Sequence, residues 1–313
     1  MTDDPRSGNA ASGDAADDGR SSKTTPLRVG VVGAGPWAQF VHAPMFAHDA
    51  RTELTGVWAR RFDAAQELAG ANGTDAFEDL DALFERCDAI AFAVPPAVQV
   101  DLAVRAADAG KAVLLEKPIA LDLAGARRLT DAVDAAGVGS QIVLTWRYAE
   151  AMRTFLAEVA QVDPIGGRGH FISGAGLGGP FATPWRLDGG MLLDLGPHVI
   201  DALDAALGPV VGVRAHGDLD RWVGLLLEHE SGAVSEASIS NRSNVEPARS
   251  GIEVFTEESV LEVDATTIFN GRTLKTIVGD FVATARGTPH PLDVHHGLRL
   301  QQILADALAD LPR

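Results

Sequence analysis

The chain has 313 residues, 46% of them apolar, and a formal net charge of −17 from 26 basic and 43 acidic side chains. That length accommodates two domains with cores of their own, and the acidity argues against nucleic acid or anionic membrane as a partner. No apolar run approaches a membrane span, no secretory leader is legible, and the single cysteine, Cys87, allows neither an intrachain disulfide nor a cysteine-rich zinc site, so a reducing cytoplasm is the expected compartment.

Residues 1–25 are rich in Ser, Gly, Asp, Asn and Ala without an aromatic side chain, and a disordered tail is expected there. The apolar run Leu27–Val32 then reads as a buried strand and residues 37–48 as a helix. Between them stands Gly33-Ala34-Gly35-Pro36-Trp37-Ala38, a G-x-G-x-x-A at a strand-to-helix junction. Gly33 permits the tight turn, Gly35 lets a pyrophosphate approach the backbone, and Ala38 lets helix and sheet pack closely. Pro36 suits a first helical turn, where a missing N–H is no loss, and the helix N-terminus offers free N–H groups to phosphates. A lone glycine triad is often only a turn. At the first junction of an alternating pattern, dinucleotide binding is the better reading.

A second strand, 53–59, ends in Ala59-Arg60-Arg61. Ala59 stands where NAD-preferring sites place a carboxylate for the ribose hydroxyls, and the guanidinium groups of Arg60 and Arg61 suit a 2′-phosphate. NADP is therefore expected over NAD; the plainer reading is two solvated helix-start arginines. Helices follow at Phe62–Ala71 and Leu80–Arg86, then a strand at 88–94 stopped by Pro95-Pro96, and a helix at 98–109. A strand at Ala112–Leu115, a helix at 121–136 and a strand at 139–145 complete an alternation that predicts a parallel sheet covered on both faces. Glu116-Lys117-Pro118 lies just past the Ala112–Leu115 strand, at the carboxyl edge where α/β folds take ligands. A lysine there can donate to a hydroxyl or polarise a carbonyl, although alone the pair reads as a surface turn. Lysine otherwise occurs only at Lys23, Lys111 and Lys275, which gives its place in a motif more weight.

The character changes near Trp146. A helix at 149–159 and a glycine-rich segment at 165–179 precede a helix at Gly190–Leu207. Short β-prone runs at 210–216, Trp222–His229, 233–240, 251–256 and 260–263 predict an antiparallel sheet, and an amphipathic helix at 297–311 closes the chain. The stretch Gly189-Gly190-Met191-Leu192-Leu193-Asp194-Leu195-Gly196-Pro197-His198 sets a carboxylate and an imidazole at i and i+4. On one helix face the pair can touch, so that Asp194 orients the ring of His198 and stabilises its protonated form. Pro197 removes one N–H from that helix, and a kink there could turn His198 toward a cleft.

Together the segments 33–38, Pro95-Pro96, Glu116-Lys117-Pro118 and 189–198 resemble the glucose–fructose oxidoreductase/inositol dehydrogenase/rhizopine-catabolism (Gfo/Idh/MocA) family, from about Leu27 to the terminal helix. The resemblance implies a Rossmann domain over 26–145, a doubly wound α/β parallel sheet. Over 146–313 it implies an α+β substrate domain whose open-faced, mainly antiparallel sheet builds homo-oligomers, dimers or tetramers. It implies a nicotinamide cofactor held by Gly33, Gly35, Pro36, Trp37, Ala38, Pro95, Pro96, Glu116 and Lys117, with Arg60 and Arg61 at the ribose. Carried onto this sequence, the catalytic residues are Lys117, Asp194 and His198, and Arg147, Trp185 and Arg186 join them against a sugar or polyol substrate. One departure is Gln99, where many members have a histidine three residues after the double proline.

The expected activity is hydride transfer interconverting a secondary alcohol and a carbonyl on a sugar, cyclitol or related polyol. His198 takes the hydroxyl proton, Asp194 holds its ring, and Lys117 binds the reacting oxygen. The alternatives are an NAD-dependent glycoside hydrolase working through transient oxidation and a non-catalytic NADP-binding regulator. No metal is expected, since His290, His295 and His296 lack an accompanying carboxylate–histidine ligand pattern. His42 is read as packing or a cap partner, and Trp37, Trp58 and Trp146 as filling core or domain-interface space.

Overall fold

The computed structural model describes residues 25–180, 182–188 and 190–311. The expected tail and Gly189 fall outside them, except for Thr25, whose carbonyl accepts from Arg286 Nη2 at 2.6 Å. Strands β1 (Leu27–Val32), β2 (Thr52–Trp58), β3 (Ala76–Phe77), β4 (Ala89–Phe92), β5 (Ala112–Leu115) and β6 (Ser140–Ile142) form one parallel sheet. Their order is β3-β2-β1-β4-β5-β6. Every residue of β4 and β5 is buried, as continuous apolar runs must be when helices cover both faces. The order changes direction between β1 and β4, which opens a crevice at the carboxyl ends of those strands.

Helices α2 (Phe62–Ala71), α3 (Leu80–Arg86), α4 (Pro96–Asp108) and α5 (Leu123–Ala136) lie close to their expected bounds. The Asp79 and Asp122 side chains cap α3 and α5 by accepting from Asp81 N and Gly125 N. The expected helix over 37–48 is instead a π-helical turn, Ala38–His42, passing into a short α1 (Ala43–Ala47). Pro44 has no N–H with which to continue an i→i−4 ladder, and Ala43 N donates back to Ala38 O instead. Likewise the strand expected over 139–145 ends at Ile142, and α6 (Thr145–Tyr148) and α7 (Glu150–Val159) lead away from the first sheet.

The second sheet runs β12-β11-β7-β10-β9-β8. Its strands are β7 (Gly166–Ile172), β8 (Val210–Asp218), β9 (Trp222–His229), β10 (Val234–Ser240), β11 (Arg249–Phe255) and β12 (Val260–Asp264). All neighbours are antiparallel except β7 and β10. The glycine-rich segment thus supplies a central strand, against its composition. The reason is helix α9 (Gly190–Leu207), which packs on β7: a Cβ at Gly169 would stand 2.6 Å from Val199 Cγ1. Glycine weakens a strand in isolation, but here it lets the helix approach.

Helix α9 also meets β9, β10, β11 and α11 (Val294–Asp310), and it is buried along its whole length except at Ala205. A helix enclosed on all sides belongs to the core, and it runs on unbroken through Pro197. Helix α10 (Gly271–Ala285), absent from the expected elements, packs on β5, β6 and α1, while α11 packs on α5. The last two helices therefore reach back to the first sheet and fasten it to the second.

Candidate active site

The glycine loop needs its glycine. Gly33 sits at φ +122°, and a Cβ there would stand 2.3 Å from the carbonyl oxygen of Ala93. At Gly35 a Cβ would meet nothing within 4 Å, so the loop backbone is open to a diphosphate at the start of the following helix. Gly33 N donates to Trp58 O at 2.8 Å, which holds the loop against the end of β2. Arg60 and Arg61 follow directly, both exposed, Arg61 lying 3.8 Å from Asp63. Pro95 precedes α4 at the end of the neighbouring strand segment. These residues fit a dinucleotide laid across the carboxyl edge of the sheet.

Beyond β5 the chain carries Glu116 and Lys117 to a cavity of about 310 Å³ between the two sheets. Gln99, fully buried on α4, seats that loop. Its Oε1 accepts from Glu116 N at 2.8 Å, and its Nε2 donates to Glu116 O at 2.8 Å and Ile119 O at 3.2 Å. One side-chain amide thus serves the loop backbone as a neighbouring strand would. The Glu116 carboxylate accepts from Trp37 Nε1 at 2.5 Å and from buried His42 Nε2 at 2.7 Å, tying the π-helical turn to the lysine loop. His42 is therefore a partner of Glu116, and Trp37 lines the cavity while stacking on Phe269 at 5.4 Å.

Lys117 Nζ donates to both Asp194 O (2.5 Å) and Asp194 Oδ1 (2.9 Å). An ammonium has three donors, so one remains for a ligand oxygen in the cavity. Arg186 Nε reaches the same Oδ1 at 3.1 Å, and its guanidinium stacks over Trp185 at 4.6 Å. Burial pushes the Asp194 carboxyl up, but Lys117 and then Arg186 outweigh it and hold the group down at about 2.

The expected contact between Asp194 and His198 is not made. Because α9 is buried all round, each of its polar side chains needs a partner inside the protein. Asp194 has Lys117 and Arg186. Asp201 accepts from Arg147 Nη1 at 2.8 Å and His296 Nε2 at 2.6 Å, and Asp204 from Val210 N at 2.9 Å and Arg299 Nη2 at 2.6 Å. His198 has no such partner: its Nδ1 is buried without a hydrogen bond. Burial first, and the Lys117 ammonium second, push its proton affinity well below the ordinary imidazole value, while Asp194 works weakly the other way. The charge of Asp194 thus serves the cations beside it rather than an imidazolium.

Of the expected substrate-lining residues, Arg186 faces the cavity with Lys117, Asp194 and His198. Arg147 does not, being committed to Asp201, and Trp185 lies behind Arg186. Walls that carried no sequence motif include Phe171, Ser250, Thr266 and Phe269, all from the second sheet and the loop beyond it. Trp146, read as filling core or domain-interface space, is buried on α6 and also forms a wall of the cavity. Trp58 stays at the sheet edge, where Nε1 donates to Glu78 O. His290 stacks on Tyr148, His295 bonds Asp134 and His296 bonds Asp201, and among the described residues no cluster of three His, Cys, Asp or Glu could hold a metal ion.

Residues 27–142 match the oxidoreductase family profile with NAD-binding Rossmann fold of GFO/IDH/MocA proteins, and residues 150–262 match the GFO/IDH/MocA C-terminal domain. The chain belongs to the Gfo/Idh/MocA family. Among curated family relatives, a dTDP-3,4-didehydro-2,6-dideoxy-alpha-D-glucose 3-reductase of Streptomyces violaceoruber is 32% identical over 63% of this chain and 59% of its own length. A UDP-N-acetylglucosamine 3-dehydrogenase of Acidithiobacillus ferrooxidans is 29% identical over 76% of this chain and 74% of its own. The match to the first of these spans about three-fifths of that relative, 59%. The fold is shared with solved structures, among them GenD2 from gentamicin A biosynthesis in complex with NAD: TM-score 0.82, 22% identity, over 93% of this chain and 95% of that one.

Proposed function

We propose that the protein is an NAD(P)-dependent oxidoreductase interconverting a secondary alcohol and a carbonyl on a sugar, cyclitol or related polyol. The observation that carries this reading is convergence. Lys117 arrives from the first sheet, Asp194 and His198 arrive from α9, and all three border one cavity beside Trp37 of the glycine-loop helix. Oxidation of an H–C–O–H unit sends a hydride and a proton from adjacent atoms, so proton acceptor and dinucleotide must reach neighbouring positions. A bound nicotinamide supplies the hydride acceptor. Lys117 donates its remaining N–H to the reacting oxygen and favours the negative charge that grows there. His198, neutral and facing the cavity, takes the hydroxyl proton in oxidation and returns it in reduction. Asp194, pinned by Lys117 and Arg186, fixes where the ammonium points. The two curated relatives are named for reduction and oxidation at position 3 of sugars joined to nucleoside diphosphates, which supports a sugar ring as substrate.

NADP is the favoured cofactor, on the strength of Ala59 with exposed Arg60 and Arg61; one guanidinium–phosphate contact contributes about 1.5–3 kcal/mol. A homo-oligomer through the open face of the second sheet is supported by Trp222, Leu226 and Val234, which stand exposed opposite the face that α9 covers. A cytoplasmic setting rests on the single-cysteine composition alone, Cys87 being buried; among the described residues no helix is long and apolar enough to cross a membrane.

The test is a panel of sugars and polyols followed at the reduced-nicotinamide absorbance with both cofactors. Turnover is expected with at least one substrate class, and His198→Ala should lower it by roughly 10²–10⁴ with cofactor affinity unchanged. Full turnover in His198→Ala, or none in the unaltered protein, would overturn the reading.

A further inference from the structure

The imidazole of His198 raises a question of orientation. A catalytic or ligating histidine is ordinarily fixed by a carboxylate or carbonyl on its second ring nitrogen. Here Nδ1 is buried and unpartnered, although the three carboxylates on the same helix are all hydrogen-bonded. What touches the ring instead is aromatic. Trp146 of α6 stacks on it at 5.8 Å with 22° between planes, and Phe171 of β7 tilts against it at 6.1 Å. Trp146 and Phe171 also meet each other at 5.5 Å, so three rings from three elements enclose one corner of the cavity.

We propose that Trp146 and Phe171 are positioning residues for the reaction, an aromatic cradle that orients His198 in place of a carboxylate. Two consequences follow from the contacts. The indole face limits rotation of the imidazole about its χ angles, so the nitrogen open to the cavity keeps its bearing on the substrate oxygen. The same rings exclude water from Nδ1, so the positive charge of a doubly protonated ring finds neither solvent nor an acceptor at that nitrogen to stabilise it. The charged groups facing the ring are Lys117 from the loop after β5, which disfavours a proton, and Asp194 one turn earlier on α9, which favours it. Arg186 of the short helix α8 (Pro184–Asp188) reaches Asp194 and so tempers the latter effect. All three remain when an aromatic ring is trimmed, so a change in titration on trimming reports the cradle.

The kinetic arm of this inference rests on the dehydrogenase reading; the spectroscopic arm does not. The experiment is a pH titration of the His198 ring nitrogens by NMR in the full chain, assigned by loss of signal in His198→Gln, with turnover measured alongside. In the unaltered protein the ring should stay neutral well below the ordinary midpoint of about 6.5. Phe171→Leu and Trp146→Leu should raise the midpoint toward that value and move the acidic limb of kcat/KM the same way, with kcat reduced on the order of tenfold and dinucleotide affinity unchanged. Trp146→Phe, which keeps a ring, should restore most of kcat. Phe171 is only partly buried, so its leucine variant serves if Trp146→Leu does not fold. Equal titration of His198 in the unaltered protein and the leucine variants would overturn the proposal, as would equal turnover losses in Trp146→Phe and Trp146→Leu. Absence of any dinucleotide-linked turnover alongside the expected titration shifts would count against the dehydrogenase reading alone and support the cradle.

Discussion

The cavity has two walls that position their reactive groups by opposite means. On one side Lys117 is held by saturated polar contacts: Gln99 grips the loop backbone, Glu116 joins Trp37 and His42, and Asp194 takes two of the three ammonium donors. On the other side His198 is held by ring faces with its Nδ1 left bare. The difference follows from what each group must do. An ammonium that stabilises developing negative charge must stay charged, and buried charge is tolerable only beside a counter-charge. An imidazole that exchanges a proton must avoid being trapped in one protonation state, and apolar enclosure keeps it neutral.

Three measurements would break or sharpen this contrast. The largest effect is expected at Lys117. Lys117→Ala removes the donor to the reacting oxygen and should lower kcat by about 10²–10³-fold, with cofactor affinity nearly unchanged. Lys117→Arg should recover only part of it, because a planar fork cannot occupy both Asp194 acceptors and the substrate oxygen as a compact ammonium does. Steady-state kinetics with the substrate found by the panel decides this, and an alanine variant of normal kcat would remove Lys117 from the chemistry.

A smaller effect is expected one layer back. Gln99→Leu leaves the Glu116 N–H and C=O unpaired, at a cost to stability of about 1–3 kcal/mol for each buried orphan. The loosened loop should reduce kcat on the order of tenfold while leaving dinucleotide affinity in place. Denaturant unfolding and kinetics on one preparation test both halves; unchanged stability would mean that another group or water takes over the two bonds.

The smallest effect concerns pH. The unfolded chain protonates His198 near the ordinary imidazole value, whereas the folded protein resists protonation until well below it. The contribution to stability is therefore complete above about pH 6.5 and is lost progressively as pH falls below it. Asp194, held at about 2, adds stability above its ordinary 3.8 that disappears only as pH falls toward 2, so the loss due to His198 begins at a higher pH than the loss due to Asp194. His198→Gln should flatten the loss between pH 6.5 and 5 in denaturant titrations. An equal slope in both proteins would mean that the folded state protonates His198 readily.

Much of the first sheet was legible because its signals are local. Apolar runs such as Leu27–Val32 and Ala112–Leu115 are short, each is closed by a turn or a cap, and the glycine motif marks the first crossover. Where local reading failed, a contact distant in sequence had intervened. The glycine-rich segment at 165–179 carries no expected element, and its strand β7 is explained only by the helix α9 that packs on it. Helix α10 was missed although Leu274, Ile277, Val278 and Phe281 keep helical spacing; no element is expected from the sequence between the strand at 260–263 and the helix at 297–311.

The site divides along the same line. By itself the sequence determined which chemical groups the protein has to work with: the G-x-G-x-x-A loop, the strand-end lysine, and an aspartate and histidine one turn apart on a helix. Tertiary structure decided which of them are partners. Helical spacing brings the Cβ atoms of Asp194 and His198 together, but it cannot anticipate a lysine 77 residues away in sequence. In a buried helix the carboxylate goes to the strongest unpaired donor that folding delivers, and folding delivered Lys117 and Arg186. His198 was left to the aromatic rings, because Trp146 and Phe171 reach it only once the two sheets have closed on α9.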